Sequence, residues 1–519
     1  MTKIGVELER RLEGLRDYDL VDVDVFLRRE PVAEATATAQ LDGFGDGGDG
    51  GDGGDGGDGG GGERKAAVIA GLKDYAARMQ SEFVGSMMAA PGMAAFTDDM
   101  VADRPAVTVT GRRWINNSVA ARVGKNALMA MNERDDVDHI EIAHYADLEE
   151  LMDADADWAT SDDVLMANRA ETAWSVEHIN APVLWDLGIT GEGVTCAVID
   201  TGVNYEHPDL WGRMWDGGRD FPLHGYDFDS HDADPMDQHG HGTACAGIVA
   251  GTGRQGLRTG VAPGATVMAL RVGGVERNYW DALEFAIDHG ADVISMSMSW
   301  KYPSSPDYPG WRRACETVLQ AGVLHANSIG NQGDRPERFP VPYNIATPGN
   351  CPPPRLHPAQ DPRGGLASPI SCGATDSADR LADYSGRGPA AWETGPYQDY
   401  PYDNGKQPGL LKPDVCAPGP GTQSCNWDHK MGNGKPPYWP FGGTSAATPH
   451  VGGALCLLAH AIRRTDSRAA IRPETVQEAL EESAVRVQGQ TSDKENHYGT
   501  GRIDVYGAYR YGRQQDYWS

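Results

Sequence analysis

The stretch VTCAVID, residues 194–200, is a short apolar run that ends in an aspartate. Similar runs follow at 265–272, 292–298 and 322–331, separated in part by helical patterns such as YWDALEFAIDHG (279–290). Runs of this length are typical of strands buried on both faces of a parallel sheet. Their alternation with helical patterns predicts an α/β fold in which helices cover both faces of a mostly parallel sheet.

Polar residues stand where these elements end or begin. Asp200 closes the first run, and Asn331 closes the fourth. His241 precedes an apolar helical stretch in QHGHGTACAGIVAG, and Ser445 precedes another in FGGTSAATPH, with Pro449 expected near the start of that helix. Each residue alone has a structural explanation as a cap or a turn residue. Together they suggest a reactive site, because functional groups gather at the carboxyl ends of parallel strands.

These residue types have complementary chemical roles. Aspartate, histidine and serine in this chain order are one arrangement of the hydrolytic triad. The Ser445 hydroxyl needs a base, and His241 has suitable basicity. Asp200 would orient the imidazole, while the Ser445 backbone N–H and the Asn331 amide would face an oxyanion. The pattern therefore predicts hydrolysis through an acyl-enzyme.

Several stretches resemble the signatures of the subtilisin-like serine proteases, peptidase family S8. They are VIDTGVNYEHPDL, HGHGTACAGIVAG, GNQGD, GGTSAATPHVGG, GVAPGATVMALRV and YGTGRIDVYGAY. The resemblance covers about residues 173–510, leaves 511–519 as a tail, and implies a subtilisin-like catalytic domain that hydrolyses proteins or peptides. Residue by residue, it implies Asp200, His241 and Ser445 as the triad and Asn331 as the oxyanion-hole side chain.

The same resemblance implies that Ser297, Met298 and Ser299 line the substrate and pair with its backbone. Members of the family usually have leucine and glycine where this chain has Met298 and Ser299, so the specificity pocket departs from the family pattern. Two other functions fit less well. A silent peptide-binding module would not need a complete triad, and an esterase would not need strands that pair with a peptide.

The N-terminal region carries a low-complexity insertion. Residues 43–62 repeat Gly-Gly-Asp, which predicts a flexible linker;. A calcium-binding β-roll would need a large apolar residue in each nine-residue repeat. The flanking patterns predict strand, helix, strand, helix and strand, the order of a small α+β ferredoxin-like module. They lie at 20–27, 66–79, 107–123 (one or two strands), 124–134 and 137–142.

The stretch RRWINNSVAARVGKNALMAMNERDDVDHIEI resembles the I9-like inhibitory prodomains of that family. This resemblance implies that residues 1–146 form a prodomain that inhibits its own catalytic domain and is removed by autoprocessing. An unrelated small domain is the alternative. Residues 147–172 are acidic and patternless, which predicts an exposed joint;. We expect the mature N-terminus between Ala143 and Thr172.

A second group of carboxylates lies between Asp200 and His241, in GYDFDSHDADPMDQHGHG. Bunched oxygen ligands suit Ca²⁺, and a solvated acidic loop is the alternative. The stretch resembles a calcium loop of some family members, which implies a structural calcium held by Asp227, Asp232 and Asp234 with position 236. Asp229 and Asp237 belong to the same acidic run. Catalysis itself needs no cofactor.

Composition limits the partners and the location. The formal charge of −30 argues against nucleic acid and anionic membranes as partners;. The sequence contains no apolar run of about 18 residues and no apolar stretch near its start, which favours the cytoplasm, with export by an unrecognised route as the alternative. We expect a monomer. Eight cysteines lack a CxxC pair and are expected to be buried thiols, although Cys351 and Cys372 flank a loop that a disulfide could close;.

Overall fold

The fold consists of two compact units, Met1–His144 and Tyr145–Ser519. The computed structural model describes residues 3–16, 19–29, 61–89, 106–152, 171–353, 369–392, 400–403, 406–464 and 469–518. Most of the predicted linker and residues 153–170 of the predicted joint lie outside the described residues. Within the described ranges, no helix is both long enough and apolar enough to cross a membrane.

The first unit is built on a four-stranded sheet. Its elements are α1 (Val6–Gly14), β1 (Leu20–Leu27), α2 (Gly61–Ala89), β2 (Val107–Arg113), β3 (Ser118–Gly124), α3 (Lys125–Asn132) and β4 (Val137–Ile142). The strand order is β2-β3-β1-β4, and each neighbouring pair is antiparallel. This is the arrangement of a ferredoxin-like module, with 107–123 forming two strands. Phe83 and Met87 of α2 and Leu128 of α3 pack with the sheet in one apolar core.

The helix α2 is longer than the sequence pattern indicates. It begins at Gly61, inside the predicted linker, and ends at Ala89, whereas the pattern predicted 66–79. Glycine is a poor helix former, so the first two residues of the helix could not be predicted from propensity. The C-terminal extension, QSEFVGSMMA, places Phe83 and Met87 in the core, and this burial carries the helix beyond the predicted end;.

The second unit holds the larger sheet. Its helices are α4 (Leu148–Met152), α5 (Trp174–His178), α6 (Ala181–Asp186), α7 (His241–Ala250), α8 (Glu276–Asp288), α9 (Tyr308–Gln320), α10 (Thr444–Arg463), α11 (Pro473–Glu482) and α12 (Val505–Gln514). Its strands are β5 (Glu171–Thr172), β6 (Thr195–Asp200), β7 (Gly225–Asp227), β8 (Leu257–Arg258), β9 (Thr266–Arg271), β10 (Val293–Met296), β11 (Leu324–Ser328), β12 (Ile370–Thr375), β13 (Tyr402–Asp403), β14 (Gln407–Pro408), β15 (Val415–Pro418), β16 (Thr422–Cys425) and β17 (Tyr438–Phe441). A 3₁₀ turn spans Tyr302–Ser304.

Seven of these strands form one parallel sheet in the order β15-β12-β11-β10-β6-β9-β7. The side chains of successive residues in β6 point to opposite faces of the sheet. Cys196 and Val198 join the apolar cluster formed with α7 and α10, while Ala197 and Ile199 are equally buried outside that cluster. The structure thus confirms the predicted parallel sheet buried on both faces, and β6, β10 and β11 end at one edge of it.

Residues 147–152 differ from the exposed joint that the sequence predicts. They include α4, whose Leu151 and Met152 are 0% and 1% exposed. The neighbouring Ala146 N–H donates to the Gly274 carbonyl at 2.9 Å. This segment is therefore packed within the second unit, and its two apolar residues are buried there. At the other end, α12 continues to Gln514, beyond the predicted catalytic boundary at residue 510.

All eight cysteines are buried free thiols, as the sequence favoured. Cys351 and Cys372 are therefore not bridged. The fold reaches its packed state through the apolar cores of the two units and without a disulfide.

Candidate active site

Asp200 is the last residue of β6 and is fully buried. Its Oδ1 accepts a hydrogen bond from the Thr201 N–H at 2.8 Å and lies 2.7 Å from His241 Nδ1. This close approach requires a glycine after the histidine. A Cβ on Gly242 would lie 2.1 Å from the Gly202 carbonyl oxygen and 3.0 Å from the Asp200 Cβ. The helix α7 can therefore begin directly against the end of β6.

His241 is the first residue of α7 and is 4% exposed. Its Nδ1 donates to the Asp200 carboxylate, so the lone pair of the neutral ring lies on Nε2. Among the described residues, Nε2 has no hydrogen-bond partner. The bond to the Ser445 hydroxyl that base catalysis requires is thus not formed here, and such bonds commonly tighten only with substrate. The Phe441 ring lies edge-on, with centroids 5.3 Å apart.

The start of α7 is anchored by Asp237, which the sequence analysis grouped with the acidic loop. Its Oδ1 accepts from the N–H groups of His239 and Gly240 at 2.9 and 2.8 Å and from Thr201 Oγ1 at 3.0 Å. Its Oδ2 accepts from the N–H and hydroxyl of Thr243 at 2.9 and 2.5 Å. Asp237 is therefore a buried structural cap that holds the histidine-bearing turn.

Ser445 is the second residue of α10, so the helix begins slightly earlier than the sequence predicted. Pro449 lies inside this helix, further from its start than expected. Because proline has no N–H, it leaves the Ser445 carbonyl without its helical partner. That carbonyl instead accepts from Ser297 Oγ at 3.0 Å and contacts Cys245 Sγ at 3.6 Å. The proline thus frees an acceptor that ties the serine to the end of β10 and to α7.

Asn331 lies beside the start of α10. Its Oδ1 accepts from both the N–H and the hydroxyl of Thr444, each at 2.8 Å. These bonds direct the amide nitrogen towards Gly443, where φ is +78° and an added Cβ would lie 2.9 Å from Asn331 Nδ2. The amide donor and the N-terminal end of α10 are thus side by side, an arrangement suited to an oxyanion.

The stretch from Ser297 to Ser299 follows β10 and is buried. Ser328 Oγ donates to the Ser297 carbonyl at 3.1 Å and lies 3.3 Å from Ser299 Oγ. Asn327 Nδ2 donates to the Met298 carbonyl at 3.1 Å. The Ser299 N–H donates to the Leu151 carbonyl at 3.3 Å, so this stretch already pairs with a peptide segment.

The predicted calcium loop is held by local hydrogen bonds and one ion pair. Asp227 accepts from the N–H groups of Asp229 and Ser230 at 2.8 and 3.0 Å and forms an ion pair with Arg271. Asp232 accepts from the Asp234 N–H at 2.9 Å. Asp234 in turn accepts from the Tyr205 hydroxyl at 3.0 Å and from the Met236 N–H at 3.2 Å.

A calcium site needs several oxygen ligands that converge on one point. Among the described His, Cys, Asp and Glu residues, the three that place ligand atoms within 4.8 Å of one another are Asp200, His241 and Cys245. The carboxylates predicted to bind calcium, Asp227, Asp232 and Asp234, are not in such a group. A calcium site at these carboxylates therefore stays a prediction.

Sequence reasoning missed three residues that shape the site. Thr444 orients the Asn331 amide, Cys245 contacts the Ser445 carbonyl, and Asp237 holds the turn before α7. Thr444 directly precedes the serine, and a hydroxyl there could have been read as a local hydrogen-bonding group. No local signal distinguished Asp237 from the other aspartates of its loop, although most of its donors lie within six residues of it and only the Thr201 hydroxyl is remote in sequence.

Comparison with known proteins identifies the family of the chain. A model of the subtilase family, peptidase S8, matches residues 191–501. Thermitase of Thermoactinomyces vulgaris is 28% identical over 64% of this chain and 95% of its own length. For the major intracellular serine protease of Bacillus subtilis the identity is 28% over 58% of this chain and 78% of the relative. Serine protease AprX of the same species is 28% identical over 64% of this chain and 70% of its own. The chain therefore belongs to the subtilase family and is a serine-type endopeptidase.

Proposed function

We propose that the chain hydrolyses peptide bonds with Asp200, His241 and Ser445 as its triad. The observation that carries the proposal is the 2.7 Å bond between buried Asp200 and His241 Nδ1, which leaves Nε2 as the acceptor. Ser445 stands at a helix start that is tied to the His241 helix through Cys245. A base, an orienting carboxylate and a nucleophile are the parts that acyl transfer requires.

In the proposed reaction, Ser445 Oγ attacks the scissile carbonyl carbon while its proton passes to His241 Nε2. Asp200 stabilises the imidazolium that forms. The Asn331 amide and the Ser445 backbone N–H stabilise the oxyanion of the tetrahedral intermediate. His241 then protonates the leaving amine, and a water molecule hydrolyses the acyl-enzyme by the same steps. No metal or other cofactor takes part in these steps.

Ser297, Met298 and Ser299 are proposed to bind the substrate backbone. The bond from the Ser299 N–H to the Leu151 carbonyl supports this role, because a peptide already takes that position. An esterase would need no such pairing. Comparing casein with a p-nitrophenyl ester separates the two activities.

We also propose that the protein is made as a zymogen whose first unit inhibits the second, and that it acts as a monomer. The ferredoxin-like order of the first unit supports its assignment as a prodomain of residues 1–146;. The mature N-terminus is still expected between Ala143 and Thr172. The cytoplasmic location stays a prediction from the sequence, and the calcium site stays a prediction that the loop geometry does not favour.

The first test replaces the nucleophile. Ser445→Ala should abolish casein hydrolysis and labelling by a fluorophosphonate, and the purified chain should remain uncut, because both reactions use the same hydroxyl. Ser492→Ala, at an exposed serine, is the control and should be labelled and processed as the parent is. Normal processing of pure Ser445→Ala, or unchanged labelling, would remove Ser445 from the proposal. N-terminal sequencing of the parent locates the maturation site.

A further inference from the structure

The segment Asp147–Met152 lies on the stretch proposed to bind substrate, and a buried lysine holds it there. Lys301 is 1% exposed, and its Nζ donates to the carbonyls of Glu150 and Leu151, the latter at 3.2 Å. The same Nζ lies 3.4 Å from the Ser299 carbonyl. Lys301 and the Ser299 N–H thus bind the same carbonyl of the segment.

The ammonium group of Lys301 lies at the C-terminal end of α4. The last carbonyls of a helix have no partner within it and carry partial negative charge, so a cation there stabilises the turn. An isolated helix as short as Leu148–Met152 is not stable in water. Burial of Leu151 and the bonds from Lys301 therefore hold the segment in a turn.

An ion pair with Arg338 is a second contact of this segment. Arg338 Nη2 lies 3.6 Å from the Glu150 carboxylate, and the Arg338 side chain is 58% exposed. Arg335, three residues earlier, donates to the Asn331 carbonyl at 2.8 Å beside the proposed oxyanion hole. The whole chain carries a formal charge of −30, so cations at this place oppose the overall field. Such local charge favours an acidic ligand over a neutral one.

We propose that Lys301 and Arg338 determine substrate specificity by selecting acidic peptide segments that form a turn beside Ser299. Lys301 binds backbone carbonyls, and Arg338 pairs with an acidic side chain at the place of Glu150. Residues 147–152 of the chain itself, DLEELM, are the first such ligand. This inference rests on the proposed function, since it concerns the peptide site of that reaction.

The test compares two quenched fluorescent peptides with the mature enzyme obtained from the full chain. One copies residues 145–160, and the other carries Glu149→Gln and Glu150→Gln. The parent should cleave the acidic peptide with about fivefold higher kcat/KM, the size of one exposed ion pair, mainly through KM. Arg338→Gln should bring the two values together. Arg380→Gln, which removes another exposed arginine from an ion pair, is the control and should keep the preference.

Lys301→Met should lower kcat/KM for both peptides alike, because it removes backbone contacts. Lys301→Arg keeps the positive charge and is the control for a loss of the fold in Lys301→Met. A second readout needs no activity. In Ser445→Ala, an added glutamate-specific protease should cut at Glu149 or Glu150 faster when Lys301 is also replaced by Met.

Equal cleavage of the two peptides by the parent, or equal loss of preference in Arg338→Gln and Arg380→Gln, would overturn the role of Arg338. An unchanged cutting rate in the Lys301 variant would overturn the role of Lys301. If the folded parent cleaves neither peptides nor casein, the proposed function itself fails. Casein hydrolysis without a charge preference would leave that function standing and reject only this inference.

Discussion

At the scale of single residues, the site depends on groups that never touch substrate. The amide of Asn331 is oriented by Thr444, and the turn before His241 is held by Asp237. The sequence could identify the proposed triad because its residues lie in short local motifs. It could not identify the anchors, because the partner of Thr444 is Asn331, which is distant in sequence, and because the acidic run around Asp237 suggested a metal site instead.

Asn331→Ala tests the oxyanion role. We expect kcat to fall by about 10²–10³ with little change in KM, because the amide acts on charge that exists only in the transition state; this magnitude was measured on a subtilisin. Steady-state kinetics on a peptide substrate checks it. Asn433→Ala, at an exposed asparagine, is the control. An unchanged kcat would assign the oxyanion to other donors.

Asp237→Asn tests the anchor of α7. The new amide would point an NH₂ group either at the Thr243 N–H or at the N–H groups of His239 and Gly240, where an acceptor is needed. We expect a loss of about 1–3 kcal/mol in the free energy of unfolding and a lower kcat. Urea denaturation in the Ser445→Ala background measures the first effect. Asp234→Asn, at a more exposed carboxylate of the same run, should cost less, and equal losses would contradict the anchoring role.

His325 on β11 predicts how stability depends on pH. Both ring nitrogens lack a partner among the described residues, and burial lowers the pKa of His325 to about 3. In the unfolded chain the ring takes up a proton near pH 6.5, so this contribution to stability is present above that pH and is lost as pH falls towards 3. At about pH 5 the loss amounts to about 2 kcal/mol.

His325→Leu in the Ser445→Ala background should therefore lose less unfolding free energy than its parent between about pH 8 and about pH 5. His231→Leu, at an exposed histidine, is the control for the loss of an imidazole. If the unfolding free energy depends on pH equally in all three proteins, His325 becomes protonated in the folded state.

At the scale of elements, α10 lacks one backbone hydrogen bond at Pro449, and this gap lets another element bind the helix next to Ser445. Pro449 removes one helical hydrogen bond, and the Ser297 hydroxyl replaces it at the Ser445 carbonyl. The apolar spacing of Leu455, Leu458 and Ile462 was enough to predict the helix;. The replacement partner was not predictable, because it depends on where β10 ends relative to α10.

Ser297→Ala and Pro449→Ala together test this exchange. Ser297→Ala should destabilise the fold by about 1–3 kcal/mol, because it weakens the bonding of a buried carbonyl. Pro449→Ala supplies an N–H to the same carbonyl, so the double variant should be more stable than the sum of single effects predicts. Thermal unfolding in the Ser445→Ala background gives the coupling energy. Strict additivity would show that the two groups do not exchange roles.

The two elements whose extent the sequence misjudged, α4 and α2, differ from the prediction for one physical reason. The pattern of 147–152 is acidic, but Leu151 and Met152 are buried in the folded chain, which the local sequence does not indicate. The helix α2 likewise extends because Phe83 and Met87 reach the core of its unit. Strands such as β6 were predictable because a strand that is buried on both faces is apolar at nearly every position.

At the scale of the whole molecule, an arginine side chain neutralises part of the negative charge that calcium was predicted to neutralise in the acidic loop. Arg271 pairs with Asp227. We therefore expect calcium to change the Tm of Ser445→Ala by no more than magnesium does at the same ionic strength. Arg271→Gln should make the acidic loop respond to calcium, because the repulsion within it is then uncompensated. A large calcium shift with Arg271 intact would restore the calcium site at Asp227, Asp232 and Asp234.

The eight buried thiols have a practical consequence for measurement. Burial raises the pKa of several of them, including Cys245 and Cys425, and thus suppresses the reactive thiolate;. A cysteine introduced by Met431→Cys, where the native side chain is 69% exposed, would react with a dye far ahead of the native ones. A second exposed position, Val6→Cys at 68%, lies in the other unit. Dyes at these two positions would mark the two units separately, so that each fragment can be followed during maturation with every native cysteine retained.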